Sequence, residues 1–538
     1  MAAGEEPPQK KVKFGGAAAE GQEVFKCGAN DAFTWHLIDG ANLGAALKSG
    51  GHMFKAEYYN QPFGEAEEIA GYKGLAVDVW VDGATFATWV DVKYESKRPK
   101  ATDIHAALKE WFPAGYSKTH AEFESALATA GRPVWGELGR LLSEKDMDVE
   151  GAPALALRHV KLSESPAWFK ALHARLEPQL IFSVDGASFI DPEDEKWELV
   201  AAIMDGGAGQ LLVGFMTVYN FYAWPTGVRP RVAQVLVLPP YQGAGIGKAL
   251  LAAAYGLAAE RGASDLVFED PSPELQRARE KLEVEMLLGQ EWIASPIQEA
   301  LAAAAAAPPP AEGAGSGGGA AGGGAAGGGA AEPPNPLALA PELGARITQD
   351  LKIHHHHLRS CWEAAVYAHP AASAAAAAAW AAGGGGGAAG ALRALVRRRL
   401  AEANAAAADQ NGAGKTIVEV PSAKEGEAPD FFMWRPRGRK AGGGEAAGGS
   451  GASGSDGGGA EGVVSVGRHS ITQVDAAEWE ERLQTLLRER MAQLEGLRRR
   501  LAGEAPLSES EGGEDGSGSG SGEDGSGGGE GEEGDEME

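Results

Sequence analysis

The sequence predicts an α/β fold, preceded by a smaller mixed α+β domain and followed by a helical region. Three observations carry that prediction. An apolar strand-like run, Val232–Leu238, enters a glycine-rich turn at Gln242–Gly247 and leaves on a helical pattern. Far upstream, Val77, Val79 and Val81 alternate with Asp78, Trp80 and Asp82, which is strand periodicity. Downstream of residue 346, apolar positions return at helical spacing between Ala/Gly tracts.

The elements follow in order. Residues 1–21 read as a disordered tail, and about 22–150 as the mixed domain. There the valine run meets a hairpin signal at Asp82-Gly83, and Phe86, Thr88, Val90 and Val92 form the returning strand. Ile104, Leu108 and Trp111 mark one helix face, capped by Thr102 or Asp103. Residues 151–290 read as the α/β domain. Trp197–Met204 and Leu211–Tyr219 make a β-hairpin, Val232–Leu238 is the central strand, and Leu266–Glu269 is the next one. Ile246, Leu250 and Leu257 follow one helix face that stops at Arg261-Gly262. Ser272 is an N-cap with Pro273 at the first helical position, and Leu275, Leu282 and Met286 face inward. Residues 291–345 form a Pro/Ala/Gly linker. Residues 346–500 hold helical pieces around 346–368 and 388–408. A capping box at Asp475-x-x-Glu478 then precedes Leu487, Leu494 and Leu501, spaced by seven; a short coiled coil is the alternative for that last piece. Residues 501–538 are an acidic tail.

Composition limits the function. The formal net charge is -27, and about half of the excess lies after residue 500, in a run without Lys or Arg. That balance disfavours direct nucleic-acid binding. The tail is either a solubilising segment or a collector for a basic protein. Cys27 and Cys361 are the only cysteines, which argues against a disulfide framework or a cysteine zinc site and fits a reducing compartment. No apolar run is long enough to span a bilayer, and the start carries no secretory signal. Lys10-Lys11-Val12-Lys13 resembles a short basic import signal. His354–His357 invites a metal reading, but consecutive histidines on a helix point in different directions and do not close one shell. No metal is expected.

The glycine turn exposes backbone N–H groups at a helix N-terminus, where an anion is favoured. It is not a P-loop, because Gln242 stands five before Gly247 and Ala249 follows Lys248. Nor is it a dinucleotide fingerprint, because Gly243-x-Gly245-x-Gly247 is one residue short. Taken alone, those residues also fit an ordinary strand-to-helix turn. The pattern Gln-x-x-Gly-x-Gly at Gln242, Gly245 and Gly247 resembles the acetyl-CoA pyrophosphate loop of the GNAT acetyltransferases.

Further segments resemble one branch of that superfamily, the catalytic subunit of type B histone acetyltransferase. They are Phe63-Gly64-Glu65-Ala66-Glu67 running into Gly71-Tyr72-Lys73-Gly74-Leu75, and Ala187-Ser188-Phe189-Ile190-Asp191 followed by Asp194-Glu195-Lys196-Trp197. Thr217–Tyr222 ahead of Arg229-Pro230-Arg231-Val232, and Glu269-Asp270-Pro271-Ser272, complete the set. The resemblance implies a GNAT acetyltransferase fold with a mixed α+β N-terminal domain and a C-terminal helical region. It implies acetyl-CoA as co-substrate and no metal.

It also implies site residues. Glu269 is the general base, with Asp270 and Asp185 as carboxylate partners; the family carries Glu where this chain has Asp185. Val235, Leu236 and Val237 pair with the pantetheine arm, and a backbone N–H near Leu236 serves the oxyanion. Gln242, Gly243, Ala244, Gly245, Ile246 and Gly247 hold the pyrophosphate. Glu65, Glu67, Tyr219, Asn220 and Phe221 receive the peptide; Phe221 lacks the hydroxyl of the family's usual Tyr. The implied acceptor is the N-terminal tail of newly synthesised histone H4, together with H3. The implied partner is a WD40-repeat histone chaperone, and the implied location is nucleus and cytoplasm. The alternatives are a GNAT enzyme with a non-histone or small-amine acceptor, and a histone-binding protein with a vestigial site.

The chemistry fits the residues. A free lysine has a pKa of about 10.4, so supplying the neutral amine at pH 7 costs about 4–5 kcal/mol, which a positioned carboxylate offsets. The residues Glu269-Asp270 also fit a plain strand-end turn capped by Ser272, and Tyr219 and Phe221 fit strand core.

Overall fold

The computed structural model describes residues 25–146, 153–206, 209–225, 227–306, 335–370, 387–409, 465–466, 469–470 and 476–504. The basic cluster at Lys10–Lys13, the middle of the linker, the Asp475 cap and the acidic tail beyond residue 504 lie outside them. The chain forms two units, Met1–Glu402 and Ala403–Glu538.

In the first unit a four-stranded sheet comes first. Its strands are β1 (Phe33–Ile38), β2 (His52–Phe54), β3 (Ala76–Asp82) and β4 (Thr88–Lys93), in the order β2-β1-β3-β4. The expected hairpin is present, but its return begins at Thr88. Phe86 is fully buried with φ of 57°, so it belongs to the turn. The Asp82 carboxylate holds that turn by accepting from the Thr85 backbone and hydroxyl, at 2.9 and 2.6 Å. The valine strand is not half-exposed as its alternation suggested. Trp80 is also buried, stacked on His36 and Trp89 beneath a small second cluster with Phe123. Asp103, not Thr102, caps the next helix, because the Thr102 hydroxyl accepts from Ala70 instead.

A six-stranded sheet follows. It comprises β5 (Arg140–Lys145), β6 (Leu155–Lys161), β7 (Trp197–Gly206), β8 (Gly209–Ala223), β9 (Gly227–Val237) and β10 (Val267–Phe268), in that order across the sheet. β5 pairs with β6, so the expected boundary at residue 150 falls between two strands of one sheet. Helix α1 (Ala167–Ser183) lies between β6 and β7 in the chain, and α2 (Ile246–Glu260) and α3 (Pro273–Leu288) flank β10. One apolar core runs through both sheets, from Phe33 and Trp35 to Phe182, Phe215 and Leu236. Trp35 donates to the Tyr59 hydroxyl at 2.8 Å and packs on Phe182 at 5.3 Å between ring centroids. The Glu57 and Tyr58 N–H groups both donate to the Phe182 carbonyl. These contacts fasten the smaller domain to the end of α1.

The linker begins later than expected. Residues Glu291–Ala306 form helix α4, because Ile293, Ile297 and Leu301 recur four apart and are buried. Helices α5 (Pro341–Leu351), α6 (His355–Ala368) and α7 (Gly387–Asp409) match the helical pieces read from the sequence. In the second unit, Ser465–Val466 pairs with His469–Ser470, and helix α8 spans Ala476–Leu501. None of the helices among the described residues is long and apolar enough to cross a membrane.

Candidate active site

The central strand β9 runs antiparallel to β8 for most of its length but pairs with β10 at only two positions, Arg231 with Val267 and Val232 with Phe268. Past those positions, the other edge of β9 has no strand partner among the described residues, so an opening forms beside Val235–Val237. The Leu238 N–H donates to Val213 of β8 at 2.9 Å. Alternation in an antiparallel pair then turns the Leu236 N–H towards β8 as well. The N–H groups of Val235 and Val237 face the opening. The Leu236 N–H belongs to the sheet and its side chain is buried, so the N–H groups near Leu236 that reach the opening are those of Val235 and Val237. The Val237 carbonyl confirms the parity, since it accepts from Gln242 Nε2 at 3.0 Å on the open side.

That bond fixes the start of the glycine turn. Gly243 and Gly245 have φ of 80° and 82°, the left-handed region that a Cβ disfavours. No atom lies within 4 Å of where a Cβ would sit on either, so the space before the turn is open. A Cβ on Gly247 would instead meet Val237, 3.9 Å from its methyl group. Gly245 caps α2 with no side-chain acceptor and no acidic residue in the first turn. The leading N–H groups, from Ile246 onward, point out of the helix end unclaimed by a side-chain cap. Lys248 pairs with Glu285 of α3 at 2.5 Å.

Glu269 follows β10, and its N–H donates to Val232, which fixes it at the mouth of the opening. Its side chain is 41% exposed and pairs with Arg231 at 3.1 Å. The Arg231 guanidinium lies over Phe221, 4.7 Å from the ring centre. Phe221 meets Tyr219 at 4.8 Å, and Tyr219 meets Trp197 at 4.8 Å. A row of aromatic faces thus leads to the carboxylate. Asp270 is exposed with φ of 32°, a turn residue beside Glu269.

The other peptide candidates separate. Asn220 alternates with Tyr219 and Phe221. Its amide accepts from Arg261 at 3.1 Å and donates to the Lys196 carbonyl at 3.2 Å. Arg261 also joins Glu198 at 2.5 Å, and Glu198 joins His159 at 2.9 Å. Asn220 therefore belongs to a structural network rather than to the aromatic row. Glu67, with φ of 48°, accepts from the Tyr59 N–H at 2.7 Å and from Asn30 at 3.1 Å, so its carboxylate braces the smaller domain. Glu65 is exposed.

Asp185 is exposed on the loop after α1. Gln234 of β9 holds that loop through Ser188 at 2.8 Å, and Glu177 of α1 accepts from Ile190 at 3.4 Å. No hydrogen bond or ion pair joins Asp185 to Glu269 among the described residues. The sequence did not mark Tyr58, a half-buried residue. Burial raises its phenol pKa, and Glu57, Asp185 and Glu274 raise it further. The only signal was a Tyr58-Tyr59 pair five residues before Phe63, with no spacing rule to mark it.

The His354–His357 run divides as its directions require. His354 and His355 approach Asp265, and His357 approaches Glu280 and Cys361.

Comparisons with known proteins divide the chain into two matches that overlap at α1. The family described as histone acetyl transferase HAT1 N-terminus matches residues 25–185, and the acetyltransferase (GNAT) family matches residues 165–280. The histone acetyltransferase type B catalytic subunit of Rattus norvegicus is 29% identical over 281 residues, covering 50% of this chain and 66% of that protein. The Zea mays protein of the same name is 31% identical over 261 residues, covering 45% of this chain and 52% of its own. The chain thus spans less than two thirds of these curated relatives. Among solved structures, an aminoglycoside N-acetyltransferase in complex with CoA is 17% identical. It covers 23% of this chain and 82% of its own, with a TM-score of 0.15.

Proposed function

We propose that this chain acetylates lysines in the N-terminal tail of newly synthesised histone H4, a reading supported by the match of residues 165–280 to the acetyltransferase (GNAT) family and of residues 25–185 to the histone acetyl transferase HAT1 N-terminus. Acetyl-CoA is the donor and Glu269 the general base. The observation that carries the reading is the Glu269 carboxylate, exposed at the mouth of the β9–β10 opening and reached along Trp197, Tyr219 and Phe221.

The residues have the following work. The leading N–H groups of α2 and the Gln242–Gly247 turn hold the pyrophosphate, whose charge the helix end favours. Acetyl-CoA, when bound, supplies the thioester carbonyl. The pantetheine arm completes the free edge of β9 at Val235 and Val237, and the Val235 N–H, nearer Glu269 in the strand, is the oxyanion donor. The substrate lysine stem packs along the aromatic row, and its ammonium exchanges places with Arg231 at Glu269. Glu269 takes the ammonium proton, the neutral amine attacks the carbonyl, and as the C–S bond breaks the second amine proton passes to the departing thiolate, leaving the amide and the CoA thiol. Neither cysteine takes part.

Exposed acidic side chains suit a basic tail. Glu57, Asp185 and Glu274 each raise the Tyr58 phenol pKa, and Glu65 lies exposed on the same domain as Glu57. Asp185 and Asp270 serve as further carboxylates for the incoming lysine. The same reading carries a WD40-repeat histone chaperone as partner, H4 presented with H3, and residence in nucleus and cytoplasm.

The test compares an H4 tail peptide, an H3 tail peptide and a polyamine as acceptors at matched concentration. The H4 peptide should lead in kcat/KM by about tenfold or more, a difference of about 1.4 kcal/mol. A polyamine that matches or exceeds it would assign the site to small amines instead.

A further inference from the structure

Behind the glycine turn, α3 and α6 face each other across a buried polar cluster. His357 and Cys361 stand four apart on α6, so both present to one face; Glu280 and Glu283 stand three apart on α3 and do the same. The donor atoms of Glu280, His357 and Cys361 all lie within 4.8 Å of one another. Cys361 Sγ is 3.3 Å from His357 Nδ1 and 2.9 Å from Glu283 Oε2, and His357 Nδ1 also meets that oxygen.

Glu283 is fully buried, and its two oxygens are divided. Oε1 accepts from Arg279 at 2.8 Å and from the Tyr255 hydroxyl of α2, while Oε2 alone faces His357 and Cys361. Outer donors that fix one oxygen and aim the other are how ligating carboxylates are held.

We propose that Glu280, Glu283, His357 and Cys361 form a tetrahedral structural zinc site that staples α6 to α3. One sulfur, one imidazole nitrogen and two carboxylate oxygens suit zinc. Ligand bonds of about 2.0–2.3 Å place donors about 3.3–3.8 Å apart in a tetrahedron; the 3.3 Å from Cys361 Sγ to His357 Nδ1 fits, and Glu283 Oε2, 2.9 Å from Sγ and nearer still to Nδ1, must draw back to complete the set. Zinc binding releases the Cys361 proton to solvent as the Zn–S bond forms. Three anionic ligands against Zn²⁺ leave one negative charge, and Arg279 on Glu283 supplies its counter-charge. The neighbouring group of Asp265, His354 and His355 is a poorer candidate, because Arg229 forks both Asp265 oxygens at 2.6 and 2.8 Å. A site with a single thiolate needs none of the cysteine spacing that the sequence lacks.

The experiment uses the full chain without an affinity tag, dialysed against a weak chelator. Bound zinc is measured by mass spectrometry, and cobalt is then exchanged in to read thiolate-to-metal absorption. The wild type is compared with Cys361→Ser and with a control carrying His354→Ala, His355→Ala and His356→Ala. About one zinc per chain should remain in wild type and control, and fall at least about tenfold in Cys361→Ser together with the cobalt–thiolate band. A folded wild type without zinc, or zinc that follows His354–His356 rather than Cys361, would overturn the proposal. Where Cys361→Ser fails to fold, the wild-type cobalt spectrum decides, and a spectrum without a thiolate band rejects the site.

Discussion

Glu177 lies in α1, below the loop that carries Asp185. Its residue is buried, and desolvation raises its carboxyl to about 7 from the ordinary 4.5, against the Ile190 N–H bond that lowers it. The folded state therefore holds a proton that the unfolded state has already lost between those two values. Stability must fall as pH rises from about 4.5 to about 7, and stay level above. At about 1.36 kcal/mol per tenfold the full displacement is worth about 3 kcal/mol, and residual solvent contact reduces it to about 2 kcal/mol. His173, one turn earlier and 3.9 Å away, has the opposite sign. Burial depresses it to about 4, so its contribution is lost as pH falls from about 6.5 to about 4. The two slopes offset each other in the overlapping window. Glu177→Gln removes one of them while keeping the shape and the acceptor for Ile190. Followed by thermal unfolding from pH 5 to pH 8, the variant should match wild type near pH 5. At pH 8 it should exceed wild type by about 2 kcal/mol, roughly 2–4 °C for a unit of this size. A variant that is no more stable at pH 8 than at pH 5, relative to wild type, would refute the reasoning.

Three further outcomes follow from the site. Gly245→Val places a Cβ at φ of 82° and a side chain in the open space before the turn, so acetyl-CoA affinity should fall at least about thirtyfold by calorimetry; normal binding would reject the loop assignment. Tyr219→Ala should raise KM for the H4 peptide about tenfold with a small change in melting temperature, whereas Asn220→Ala should cost about 1–2 kcal/mol of stability and leave KM near wild type. Glu67→Ala strips the acceptor from the Tyr59 N–H and from Asn30, so chemical denaturation should show a loss of about 1–3 kcal/mol, with peptide KM changed less than for Tyr219→Ala.

What was legible in the sequence was local. Ser272 caps α3 through Leu275 as its chemistry requires, and the strand–turn–helix at Val232–Leu257 stands where its periodicity put it. Long-range pairing was not legible. The Arg140–Lys145 strand is exposed or half-exposed along its length, so its apolar content gave no sign that it edges the second sheet. Polar groups buried by tertiary contacts were equally hidden: Trp80 beneath Phe123, and Glu283 among donors from three helices. In the site, the glycine turn and Glu269 were readable because both sit at strand ends. The roles of Leu236, Asn220 and Glu67 depend on which way one strand position or one carboxylate turns. That is set by partners dozens of residues away, Val213, Arg261 and Asn30 among them.

The central claim is that Glu269 takes the proton from the acceptor lysine. The direct measurement is acetylation of an H4 tail peptide by wild type and by Glu269→Gln, with modified lysines mapped by mass spectrometry and acetyl-CoA binding measured in parallel. Site-selective acetylation that drops about a hundredfold or more in the variant at neutral pH, with acetyl-CoA affinity unchanged within about twofold, is the predicted result. A variant that acetylates within about threefold of wild type would contradict the account, because the base would then lie elsewhere.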